Sequence, residues 1–401
     1  MRKAYIVSAK RTAIGSFLGA LKDVHPSQLG AAVVKEIIKE TGVDPAAIDE
    51  VIVGNVLAAG IGQGIGRQVS IHGGVPAEVP AHTVNNVCCS GMKVIMNAVT
   101  SIHAGWSNLV LVGGVESMSQ APFILPSKVR NGNKLGDINT QDHMLCDALL
   151  DAFEGYHMGI TAENIVEKYN ITRESQDSFA FNSQQKAIAA VDAGKFKDEI
   201  VPVPVKVGRQ ESIFDTDEYP NRSTSLEKLA GLRPAFKKDG TVTPGNSSGI
   251  NDGASMTLIA SEEALEKYNL QPIAEIIGCG QAGIDPSIMG LGPVNAVKNA
   301  LNNASLTLKD MDLIELNEAF AAQSLGVIHE LSAEHGMSQE EIMKKTNING
   351  GAIALGHPLG TTGNRIIVTL LHELIRSNLT YGLASLCAGG GMGCAVVIKR
   401  V

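Results

Sequence analysis

Asp49-Glu50-Val51-Ile52-Val53-Gly54-Asn55 and Asp310-Met311-Asp312-Leu313-Ile314-Glu315-Leu316-Asn317 follow one pattern: acid first, then an apolar strand-like run, then asparagine. The echo continues outward from them. The loop and helix around Cys88 to Ile102 match those around His357 to Ile375, and the strand Leu109 to Gly114 matches Leu383 to Gly390. Matches in the same order at similar offsets read as one α/β unit used twice. Duplication sets the ends of equivalent strands face to face, so the cleft between the halves is the expected ligand site.

Around these anchors, short apolar runs alternate with helical patterns, which predicts buried, largely parallel strands. Ser27 to Thr41 reads as a helix with Leu29, Val33, Val34, Ile37 and Ile38 on one face and Gly42 as its stop. Met92, Ile95, Met96 and Val99 repeat the same spacing after Cys88. Residues 121–250 break the echo but carry helical periodicity of their own near Thr161 to Ala190, so they read as an insertion rather than a linker. The expected division is residues 1–120 with 251–271 as the first half, 121–250 as the insertion and 272–401 as the second half.

Composition narrows the function. With 44% hydrophobic and 18% charged residues in 401, the chain is no disordered polymer. Lys+Arg 33 against Asp+Glu 41 gives a net charge of −8, which argues against general binding to nucleic acid or anionic membrane. Aromatic residues are only 4% while glycines number 43, a composition suited to close packing and tight turns. No apolar run approaches the roughly 18 residues of a membrane span. Met1-Arg2-Lys3 leads straight into Ala4-Tyr5-Ile6-Val7 without a signal-peptide pattern, so the expected location is the cytoplasm. The cysteines (88, 89, 146, 279, 387 and 394) form no C-x-x-C pair, which predicts neither a disulfide scaffold nor a metal site.

Several motifs fail on context. Gly245-Asn246-Ser247-Ser248-Gly249 matches a nucleophile elbow, but Pro244 before it and Ile250-Asn251-Asp252-Gly253 after it supply neither the strand nor the helix that elbow needs. Ser90-Gly91-Met92-Lys93 matches S-x-x-K without its companion signatures. The glycines from Gly60 to Gly66 do not fit a dinucleotide fingerprint, and no G-K-[ST] exists.

Three loops fare better together. In Asn85-Asn86-Val87-Cys88-Cys89-Ser90-Gly91-Met92 a strand-like run enters and an amphipathic helix leaves, so Cys88 sits where helix N–H groups favour a thiolate. The bland alternative is a small buried hydrophobe. Gly350 to Gly360 carries His357 on a sharp turn before a helix; Cys387-Ala388-Gly389-Gly390-Gly391-Met392-Gly393 puts a thiol at a strand end beside bare backbone N–H groups, as an oxyanion site requires. Each has a structural reading, as a turn histidine or a glycine-bearing bulge. Taken together, two thiols and an imidazole make a nucleophile, an activator and a proton carrier.

At these residues the sequence resembles the thiolases, and within them the biosynthetic acetyl-CoA acetyltransferases. The likeness covers essentially the whole chain and rests on the Cys88 loop, Asn317-Glu318-Ala319-Phe320, Gly356-His357-Pro358, the Cys387 glycines and Asn246 to Ala254. Cys89 departs from it, where glycine or serine is usual, and sets a second oxidisable thiol beside the first. The resemblance implies an α/β fold of two βαβαβαββ halves in five layers, α-β-α-β-α, with an insertion that binds CoA. It implies a ping-pong Claisen condensation of two acetyl-CoA to acetoacetyl-CoA and CoA, or the reverse thiolysis. His357 would help deprotonate Cys88, Cys88 would carry the acetyl group, and Cys387 would take a proton from the second acetyl-CoA. His357 and a water on Asn317 would receive the enolate oxygen; the N–H groups of Cys88 and Gly389 would receive the tetrahedral oxyanion. His157, Met158 and Ser248 would hold pantetheine and Arg222 the nucleotide end, with Leu149, Phe236, Ala319 and Phe320 lining the channel. Arg233, Lys237 and Lys238 add positive charge, or simply form a solvated face. CoA and acetyl-CoA are then substrates, no metal or permanently bound cofactor is expected, and a homodimer or homotetramer is. Two alternatives stand beside this reading: a degradative 3-ketoacyl-CoA thiolase of broader chain length, and a non-catalytic acyl-binding protein.

Overall fold

A computed structural model describes residues 2–208 and 210–401. The first half runs β1 (Ala4–Thr12), α1 (Pro26–Thr41), β2 (Glu50–Gly54), α2 (Ile65–His72), β3 (Ala81–Val84), α3 (Ser90–Ala104) and β4 (Leu109–Ser117). The insertion follows, with α4 (Met158–Tyr169) and α5 (Arg173–Asp192), and the chain returns through β5 (Asn251–Ser261). The second half runs β6 (Ala274–Gly283), α6 (Gly292–Ala304), β7 (Leu313–Leu316), α7 (Ala321–His335), α8 (Leu359–Arg376), β8 (Tyr381–Ala388) and β9 (Met392–Arg400).

These strands hydrogen-bond in the order β7-β8-β9-β6-β1-β5-β4-β2-β3, so the half-sheets meet where β1 and β6 pair at Tyr5↔Glu275 and Ile6↔Ala274. Pairing is parallel for β2 with β3 and β4, and for β7 with β8, but antiparallel everywhere from β8 to β4 through the middle. The expectation of a largely parallel sheet is corrected there. In the second half Gly389 to Gly391 reverse the chain directly into β9; in the first, β5 returns beside β4 after the whole insertion, and neither connection is the helical crossover that parallel neighbours need.

Five layers result. α3 and α8 pack on each other between the half-sheets, around Ile6, Ile52, Met92, Ile95, Ile366, Leu370 and Val396. α1 and α2 cover the outer face of the first half-sheet, and α6 that of the second. Because α8 has a sheet on either side, it is buried nearly all round, and its polar side chains bond across the layer: Thr361 Oγ1 donates to Gly253 O (2.9 Å) and Thr257 Oγ1 to Asn364 Oδ1 (2.9 Å).

The repeat is real, with a register different from the one the asparagines suggest. Asp49 Oδ2 accepts the N–H groups of Asn108 and Leu109 (2.6 and 2.9 Å); Asp312 Oδ2 accepts those of Thr380 and Tyr381 (2.9 and 2.8 Å). Asp49 therefore corresponds to Asp312, not Asp310, and Asn317 stands where Gly54 stands. The halves also differ at the counterpart of β3. The second has only a bridge from Thr346 to Ile314, beside which the Asn347 side chain stands in for a strand, accepting from Leu316 N–H (2.9 Å) and donating to Leu316 O (2.7 Å).

Candidate active site

The Cys88, His357 and Cys387 loops converge on a cavity of about 560 Å³ between the halves, roofed by the insertion. Cys88 is reached through a strained turn: Val87, a β-branched residue, has φ 49°. Asn86 N–H bonds Ser90 Oγ (2.8 Å), and Ser90 N–H and Oγ–H both bond Val87 O (3.0 and 2.6 Å), which locks that turn against the start of α3. Burial pushes the Cys88 thiol up to about 11, against the pull of the Gly389 and Cys88 N–H groups, and the nearby Glu116 charge adds to the rise. The thiolate expected of a helix N-terminus is thus not the resting form: desolvation outweighs the helix end, and a base is needed.

His357 follows Gly356, whose φ of 102° is open to glycine, and whose missing Cβ leaves room for the Asn251 side chain. Asn251 Oδ1 accepts His357 N–H (2.9 Å) and Asn251 Nδ2 donates to Gly15 O (3.0 Å). His357 Nδ1 lies 2.8 Å from Thr362 Oγ1, and that hydroxyl donates its only proton to Pro358 O (2.9 Å). Nδ1 must therefore carry the imidazole proton, leaving Nε2 a bare lone pair; it is buried and has no protein partner. Burial, helped by the Arg365 charge, lowers the His357 pKa to about 3, so the ring is neutral at physiological pH.

Cys387, near the end of β8, is buried, and its thiol is raised well above its ordinary value by burial and then by the Cys88 charge. Asn317, just past β7, is buried with both side-chain amide atoms unpartnered by protein. Gly389 lines the cavity between Met158 and Val87.

The insertion supplies the channel. His157 caps α4 by accepting Gly159 N–H (3.0 Å) and stacks on Phe236 with centroids 4.5 Å apart; Phe236 meets Phe320 edge-on at 6.1 Å. Met158, Ala319, Phe320, Met289 and Cys387 share one apolar cluster. Ser248 N–H bonds Ala319 O (2.9 Å), and Leu149 completes the wall. Arg222 is not brought in: it lies at the surface in an ion pair with Asp192, with Nη1 3.0 Å from Oδ2. Cys89 also faces away, buried between the half-sheets with Sγ 3.6 Å from Leu386 O.

Comparison with known proteins decides the lineage. Residues 4–263 match the thiolase N-terminal domain and residues 270–400 the thiolase C-terminal domain. An acetyl-CoA acetyltransferase of Pseudomonas aeruginosa is 49% identical over 401 residues, covering all of both chains. The chain belongs to the thiolase family. Among solved thiolase structures, acetyl-CoA acetyltransferase from Syntrophomonas wolfei superposes with a TM-score of 0.97 at 43% identity, covering all of both chains. Human mitochondrial 3-ketoacyl-CoA thiolase in complex with CoA superposes at 0.93 with 45% identity, covering 100% of this chain and 98% of that one. The protein is accordingly a thiolase-fold acyltransferase, and no helix among the described residues is long and apolar enough to cross a membrane.

Residue-type reasoning on the thiolase sequence missed Glu116, Asn251 and Thr362. Asn251 sits in the Asn246 to Ala254 segment, but nothing local tells which group it holds; Thr362 is five residues after His357, a spacing at which a hydroxyl carries no signal of its own. His143, Cys146 and Asp147 place donor atoms within 4.8 Å of one another. His143 Nε2, however, accepts Ala59 N–H (3.2 Å), so Nδ1 carries the proton and gives it to Asp147 (2.6 Å), leaving the ring no lone pair for a metal.

Proposed function

We propose that this enzyme condenses two acetyl-CoA molecules to acetoacetyl-CoA and CoA, and catalyses the reverse thiolysis, through an acetyl group carried on Cys88. The observation that carries the reading is the bare Nε2 lone pair of His357 on the cavity that Cys88 and Cys387 also line.

His357 Nε2 takes the Cys88 proton as the sulfur attacks the thioester carbon. Backbone N–H groups of Cys88 and Gly389 receive the oxyanion; losing one such donor typically costs on the order of 10²–10³ in rate. The CoA sulfur leaves with the Cys387 proton, and Cys387 remains as thiolate. Burial raises the Cys387 thiol above its ordinary value, which makes that thiolate a stronger base than an exposed one. Cys387 then takes a proton from the methyl carbon of the second acetyl-CoA. The enolate oxygen is met by the Nε2–H of His357 and by a water on the otherwise unpartnered Asn317 amide. The carbanion attacks acetyl-Cys88, and the departing Cys88 sulfur recovers its proton from His357.

The apolar wall of Leu149, Met158, Phe236, Ala319 and Phe320 suits pantetheine, with His157 and Ser248 at its polar points. Arg222 reaches the nucleotide end only by leaving Asp192, so its share in binding is small. The exposed apolar side chains of Phe123, Leu125, Leu135 and Phe153 support a homo-oligomer, dimer or tetramer, which sedimentation tests; we place it in the cytoplasm.

Mixing reduced protein with acetyl-CoA and measuring intact mass tests the reading. An acetyl adduct located on Cys88 is expected, and a folded protein without one would instead be an acyl-binding protein. The likeness to a 3-ketoacyl-CoA thiolase keeps a broader substrate range as the second reading. Chain-length kinetics separate the two: a preference for four carbons supports the acetyl enzyme, and equal rates on longer 3-ketoacyl-CoA support the other.

A further inference from the structure

Glu116, near the end of β4, is fully buried, and no lysine or arginine among the described residues bonds it. Its Oε1 accepts from Asn55 Nδ2 (2.9 Å) and Leu57 N–H (3.1 Å), and its Oε2 from Val56 N–H (3.1 Å) and Gly360 N–H (2.7 Å). Every partner is a donor, so the geometry requires the carboxylate; a proton or an amide NH2 on either oxygen would face an N–H. Asn55, Val56 and Leu57 follow β2 in the first half, whereas Gly360 lies in the first turn of α8, on the same turn as His357. A Cβ at Gly360 would stand 2.8 Å from Glu116 Oε2, so glycine is what permits the approach. α8 has no side-chain cap of its own, and the carboxylate occupies its positive end from across the cleft. Between His357 and Gly360, Leu359 joins Val56 and Leu57 in the apolar cluster against which Cys88 packs.

We infer that Glu116 is a positioning residue: it ties the His357 turn to the Cys88 side of the cleft and so holds Nε2 toward the thiol. The inference rests on the reading of Cys88 and His357 given above. Burial pushes the Glu116 carboxyl up to about 7 against the pull of the Leu57, Gly360 and Val56 N–H groups, with Asp252 adding to the rise. The tie is therefore complete above neutrality and loosens below it. The titratable groups that act on it or feel it are Asp252 on β5 and Cys88 before α3; His357, on the turn it ties, stays neutral until about pH 3.

The test is the single-turnover rate of Cys88 acetylation by acetyl-CoA, with equilibrium CoA binding measured alongside. Glu116→Gln should slow acetylation on the order of 100-fold while CoA affinity changes less than about twofold. Glu116→Asp, which keeps the charge but withdraws it by one methylene, should recover part of the rate. In the wild type, acetylation should fall as pH drops through about 7, with an inflection that Glu116→Gln lacks. A folded Glu116→Gln protein acetylating at the wild-type rate overturns the inference. Should neither variant fold, a wild-type profile without that inflection overturns it. A wild type that is never acetylated on Cys88 overturns the reading of the site itself, whereas an acetylated wild type beside an equally fast variant removes only the role of Glu116.

Discussion

The Cys88 loop and the His357 loop are the same device in the two halves. Each makes a left-handed turn, at Val87 and Gly356, and each opens a helix of the middle layer that has no side-chain cap. Their surroundings then diverge. Cys88 is partly open to the cavity and its turn is closed by its own neighbours, Asn86 and Ser90. His357 is buried; Thr362 of its own helix fixes the ring, and the turn is held from outside by Asn251 and Glu116. A nucleophile needs access; an imidazole that must stay neutral and keep one tautomer needs enclosure. Duplication supplies two equivalent sites, and the packing around each assigns its chemistry.

That contrast can be broken most severely at the nucleophile. Cys88→Ala should abolish adduct formation and turnover in both directions, and residual acetylation elsewhere in the cavity would move the nucleophile off this loop. His357→Asn should slow acetylation of Cys88 by about 10²–10⁴-fold, since the buried thiol then has no acceptor for its proton; an unchanged rate would mean that Cys88 ionises unaided. Cys387→Ala should cost condensation a similar factor but acetylation at most about tenfold, and equal losses in both half-reactions would end the division of labour between the thiols.

Enclosure also has a stability signature. The folded pKa of His357 lies near 3, below its ordinary 6.5, so the unfolded chain binds that proton more readily between those values. Folding stability should decline as pH falls through this window, and the melting temperature of His357→Asn should fall less than that of the wild type. A parallel decline in both would mean that the imidazole is not held neutral. The smallest effect is expected at the surface: Arg222→Ala should raise the KM for CoA substrates by a few-fold at most, because the Arg222–Asp192 pair is exposed and its attraction is screened by solvent.

The α/β alternation, the doubling of the unit, the insertion and the three loops that carry the reactive side chains are all legible along the chain. Those features are local: strand and helix periods repeat within a few residues, and glycine at a sharp turn declares itself. The true register of the repeat, through Asp312 rather than Asp310, and the antiparallel centre of the sheet emerge from the folded arrangement. It also decided that Cys88 rests as a thiol, that His357 offers Nε2, and that Glu116 reaches across to Gly360. Desolvation and hydrogen-bond partnership depend on groups brought together from distant parts of the chain. A motif can name the residue that acts, but its protonation state is set by what folding packs around it.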